Sequence, residues 1–138
     1  MASNTKVANI LRDYRDYTMI CAGVFDDMVA TLVLENKEAI LERNRQIVEE
    51  NLALMDAWIA KEPKASWIRP ASVSTSFVKL DVNRPIEDFA LELLQDYGVL
   101  VVPGNRFDKE SHVRIGYCCD KEVLQKGLEK LSQFLSKC

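Results

Sequence analysis

One arginine limits the folds open to this chain. Residues 112–117, "HVRIGY", alternate as a strand does, with Val113, Ile115 and Tyr117 on one side and Arg114 and Gly116 on the other. A guanidinium keeps its proton at ordinary pH, so burying it requires a paired anion. A sheet containing this strand therefore has an open face, or an acid buried beside the arginine. Two accounts follow from the residues alone. In one, Gly116 is a bulge and Arg114 pairs with Asp81, Asp108 or Glu110. In the other, Gly116 clears space above the sheet and Arg114 meets a carboxylate or phosphate on a ligand.

The remaining sequence supplies the elements around this strand. Residues 6–17 carry Val7, Ile10, Leu11 and Tyr14 at helical steps. Gly23 marks a bend, after which Asp26 or Asp27 is expected to cap a short helix through Met28, Val29, Leu32 and Val33. A long helix follows over residues 37–61, with Leu41, Val48, Leu52, Met55 and Ile59 on one stripe and Trp58 helping to cover the core; Pro63 ends it. Beyond it, β-branched and aromatic residues predict a strand through Val73, Thr75 and Phe77 to about Asp81. Pro85 opens a helix whose buried face is Ile86, Phe89, Ala90, Leu93, Leu94 and Tyr97, and Gly98 stops it in the left-handed conformation. The run "VLVV", residues 99–102, predicts a strand covered on both faces. Asp120 is placed to cap a last helix buried through Leu124, Leu128, Leu131 and Leu135.

This order predicts an α+β, two-layer fold. A small, mainly antiparallel sheet (strand, helix, strand, strand, helix) has helices on one face and is preceded by two or three helices, one of them long. With 138 residues, 48% of them hydrophobic, one domain is expected.

Charge and cysteine usage exclude several functions. A net charge of −3 with scattered Lys and Arg supplies no basic field, so nucleic acid is not expected as a partner. No apolar run approaches the roughly 20 residues that span a bilayer, and the N-terminus lacks a secretory apolar stretch, so no membrane and a cytoplasmic location are expected. Cys21, Cys118, Cys119 and Cys138 form no C-x-x-C pair and His112 is the sole histidine, so no metal site is expected and the thiols are read as reduced and mostly buried.

"GVLVVPGNRF", then "HVRIGY", then "LQKGLEKLSQFL" resemble the C-terminal segment of the class I/II aminotransferases of pyridoxal-phosphate fold type I. "LRDYRDYT", "DDMVATLVLEN" and "ILERNRQIVEENLALMDAWI" are similar to the helices linking that family's large and small domains. The resemblance covers nearly the whole chain. It implies that Arg114 makes a two-pronged contact with the α-carboxylate of an amino-acid substrate and that Gly104 and Asn105 belong to the loop beside that substrate. It also implies a division into linking helices, residues 1–35, and an aspartate aminotransferase-like small domain, residues 36–138.

Against that family pattern, none of the ten lysines stands in the serine-rich context of the cofactor lysine; Lys79, in "STSFVKLD", comes nearest and reads as an ordinary strand residue. No glycine-rich phosphate loop is present. The expectation is therefore a truncated aminotransferase small domain that binds no pyridoxal phosphate and transfers no amino group alone. It is expected to form homo-oligomers through exposed N-terminal residues, Tyr14, Tyr17, Met19, Ile20, Val24 and Phe25. The alternative is a non-enzymatic module that binds amino acids or another small molecule through Arg114.

Overall fold

The computed structural model describes residues 4–19, 21, 23–71 and 73–138. It divides into two compact units, Met1–Ile40 and Leu41–Cys138.

In the first unit, α1 (Thr5–Thr18) begins where the Asn4 side chain accepts from the Lys6 and Val7 amides, at 3.0 and 3.2 Å. Helix α2 (Val24–Glu35) starts earlier than the sequence suggested: its N-cap is Gly23, and Asp26 and Asp27 lie inside its first turn. There they complement the positive end of the helix dipole instead of capping it. Both helices, and Met19 at the C-cap of α1, leave apolar side chains in solvent, among them Tyr14, Tyr17, Val24 and Phe25. Ile20 lies outside the described residues.

The second unit is the expected α+β layer pair. Long helix α3 (Lys37–Ile59), which begins in the first unit, is followed by β1 (Ala65–Trp67), β2 (Thr75–Leu80), α4 (Ile86–Tyr97), β3 (Val102–Pro103), a short 3-10 turn (Gly104–Phe107), β4 (His112–Gly116) and α5 (Lys121–Leu135). The strands form one antiparallel sheet in the order β1-β2-β4-β3. Val78 and Leu80 of β2, with Val113 and Ile115 of β4 and the following Tyr117, turn to the core. They meet Leu52 and Met55 of α3, Ile86, Phe89 and Leu93 of α4, and Leu124, Leu128, Leu131 and Phe134 of α5. Full burial of a side chain such as Phe89 contributes about 2–3 kcal/mol, which is why the period-of-two and helical patterns predicted these faces.

Several expectations are corrected. The 99–102 run is not a two-face-buried strand: Leu100 is exposed, and only Val102 and Pro103 pair with β4. Pro103 has no amide hydrogen to extend the ladder, so this edge strand stays short. Leu41 is exposed at the start of the α3 stripe and Leu94 at the edge of the α4 face. Asp120 is the α5 N-cap by position but makes no side-chain capping bond. The thiols are free, yet Cys21, Cys118 and Cys138 are exposed and only Cys119 is half-buried. The three-residue strand β1 is too short to show an alternation and was not predicted.

Candidate carboxylate site on the open sheet face

The sheet has one open face, and Arg114 stands on it. Strand register places Arg114 opposite Phe77 on β2 and Val102 on β3; His112 faces Lys79, and Gly116 faces Thr75. These residues are exposed or half-buried, whereas the alternate positions are core. The ladder runs unbroken through Gly116, so no bulge occurs there. A Cβ added at Gly116 would meet only a Thr75 methyl, at 4.0 Å, which leaves open space above this part of the strand.

The Arg114 side chain makes no ion pair and no hydrogen bond among the described residues; Asp81, Asp108 and Glu110 are not its partners. Its guanidinium instead lies over the Phe107 ring, 5.3 Å from the centroid. A cation stacked on a ring still offers its N–H groups in the guanidinium plane, where a planar carboxylate can accept two of them.

The loop before β4 holds Phe107 in place. Gly104 is buried, and a Cβ there would sit 2.2 Å from the Lys109 carbonyl oxygen and 2.6 Å from that of His112. Only glycine lets the turn close this tightly. Asn105 donates through Nδ2 to Glu87 Oε2 on α4 at 2.8 Å, and Arg106 pairs with the same carboxylate. Gly104 and Asn105 thus sit in the loop beside Arg114, with packing and loop anchoring as their observed contacts.

Sequence reasoning missed Asn51. Buried on α3, it donates through Nδ2 to the carbonyl oxygens of Tyr117 at 2.8 Å and Cys119 at 2.7 Å, which fixes the exit of the strand that carries Arg114. An asparagine within an otherwise apolar helical stripe is the signal that could have found it. The Tyr117 hydroxyl is buried without a hydrogen-bond partner among the described residues, and burial pushes its phenol pKa up.

The family pattern described as aminotransferase class I and II matches residues 1–131. The chain belongs to that family. Among solved structures it is similar to a PLP-dependent aminotransferase from Streptococcus suis 89-1591, with 65% identity and a TM-score of 0.89 over 99% of this chain and 36% of that one. Among curated proteins it is 28% identical to capreomycidine synthase of Streptomyces vinaceus, over 88% of this chain and 31% of that protein. It is 26% identical to the probable N-acetyl-LL-diaminopimelate aminotransferase of Bacillus subtilis, over 95% of this chain and 34% of that protein. The chain spans about a third of the length of these relatives.

These matches correct the expectation of a truncated small domain, inactive and cofactor-free alone. The family match takes in α1 and α2 together with the sheet, and a PLP-dependent aminotransferase aligns with 99% of the chain. Pyridoxal phosphate needs a lysine amine for its aldehyde, an acid for its ring nitrogen and anchors for its phosphate. Lys79 shares the open face with Arg114, but it is exposed and no strand position on that face carries an acid. Around Lys79 the described side chains do not supply that set. The cofactor therefore enters through family membership. No helix among the described residues is long and apolar enough to cross a membrane.

Proposed function

We propose that this chain takes part in pyridoxal-phosphate-dependent amino-group transfer between an amino acid and an oxo acid, with Arg114 holding the substrate's α-carboxylate. The single observation that supports the role of Arg114 is an exposed guanidinium with no acid paired to it among the described residues, set beside the space above Gly116. A paired surface arginine would offer no free fork to a substrate. The delocalised, planar group suits a carboxylate in a way that a lysine's point charge does not. Gly104 and Asn105 support this role by closing the loop that carries Phe107.

The test supplies the full chain with pyridoxal phosphate and an amino acid, and follows oxo-acid formation. Turnover that falls at least tenfold in Arg114→Lys and Arg114→Gln supports the reading. Carboxylate binding with no turnover would favour an amino-acid-binding module.

The same reading takes residues 1–35 as linking helices whose exposed apolar side chains, Tyr17 at 91% and Phe25 at 83%, are covered by a second copy of the chain. Its setting is the cytoplasm, in keeping with four free thiols. Light scattering that stays at monomer mass up to high concentration would contradict the self-association.

A further inference from the structure

Four residues make a square on the open face. Phe77 and Arg114 are paired across β2 and β4, and Lys79 and His112 form the next pair on the same face. The Phe77 and His112 rings stack along one diagonal, with centroids 5.1 Å apart and planes at 18°. The two cations, Lys79 and Arg114, occupy the other diagonal, so the stacked rings stand between them. Phe107 extends this strip: it meets Phe77 edge-on at 5.8 Å and lies beneath the Arg114 guanidinium.

A carboxylate gripped by Arg114 therefore sets its remaining atoms down beside Phe77, Phe107 and Val102, or over the bare backbone at Gly116. None of these positions rewards a second negative charge. The neighbouring guanidinium, Arg106, is already paired with Glu87. Among the described residues Lys79 is the exposed cation left on this face, and a second carboxylate would have to cross the stacked rings to reach it. An apolar ring, by contrast, gains edge or offset contacts with the aromatic strip.

We propose that the Arg114 site selects carboxylates bearing an aromatic or similarly flat apolar body over dicarboxylates. This rests on the reading of Arg114 as the carboxylate donor and names the substrate class of that site.

The test is calorimetric titration of the full chain with hydrocinnamate and with glutarate, at one pH and ionic strength. Hydrocinnamate is expected to bind about tenfold more tightly, the size of effect one or two aromatic contacts give. That preference should shrink in Phe77→Leu and in Phe107→Leu, whose folding is checked by circular dichroism, and both affinities should be lost in Arg114→Gln. Glutarate binding as tightly as hydrocinnamate or more so, through Arg114, overturns the selectivity and leaves the carboxylate reading standing; loss of that binding in Lys79→Ala would locate the second contact. Binding that survives Arg114→Gln, or no binding of either probe, overturns both.

Discussion

The Arg114 guanidinium lies over the ring of Phe107, 5.3 Å from its centroid, and has no acid partner among the described residues. The ring orients a charge that would otherwise sweep through solvent on a long side chain. An exposed cation–π contact contributes about 0.5–1 kcal/mol. Phe107→Leu is accordingly expected to weaken carboxylate binding about two- to fivefold while the far-ultraviolet circular dichroism stays unchanged. Titration of the variant beside the parent chain measures it.

Gly104 and Gly116 make opposite predictions. At Gly104 an added methyl would collide with two backbone carbonyls, the nearer at 2.2 Å, so Gly104→Ala should lower stability by about 1–3 kcal/mol. At Gly116 the methyl meets nothing closer than 4.0 Å, so Gly116→Ala should keep the urea midpoint or raise it slightly. Because the methyl fills space beside Arg114, carboxylate affinity should nonetheless fall. A Gly116→Ala chain that unfolds early would show that this glycine serves packing.

Much of this arrangement was legible in the sequence. A period of two placed Val113, Ile115 and Tyr117 in the core and Arg114 outside it, because a one-residue slip would have buried the charge. The leucine stripe of α5 and the left-handed Gly98, with φ at 66°, were equally readable, since each is a local property of a few residues. Register is not local: the pairing of Phe77 with Arg114 depends on strands 37 residues apart, from 114 − 77, and nothing near either residue encodes it. The Asn51–Tyr117 bond spans 66 residues and was invisible for the same reason. The 99–102 run misled because apolar composition does not reveal whether a neighbouring strand exists to pair with it.

Asn51 joins α3 to the exit of β4 through two bonds, at 2.8 and 2.7 Å. Asn51→Ala leaves the carbonyls of Tyr117 and Cys119 without their donor, at a cost of about 1–3 kcal/mol. Urea unfolding should show the lower midpoint, and amide exchange in β4 should quicken. An unchanged midpoint would mean that water replaces the donor freely.

Tyr117 predicts an alkaline limit. Burial raises its pKa in the folded chain, so the unfolded chain loses the phenolic proton first. The neutral phenol's contribution is complete below the ordinary tyrosine value of about 10 and is lost as pH climbs through the raised folded value. Half-buried Cys119, whose pKa burial also raises, acts in the same direction from the thiol range. Tyr117→Phe removes a buried hydroxyl that has no partner among the described residues. It should stabilise the chain by about 1 kcal/mol at neutral pH and flatten the fall in unfolding midpoint above about pH 10.

The most direct measurement watches the Arg114 side chain itself. In a nitrogen-15-labelled full chain, the Arg114 Nε–H resonance, assigned by its loss in Arg114→Gln, should shift saturably as a monocarboxylate is added. A resonance that stays still at saturating carboxylate, in a chain whose other amides report an intact fold, would contradict the account.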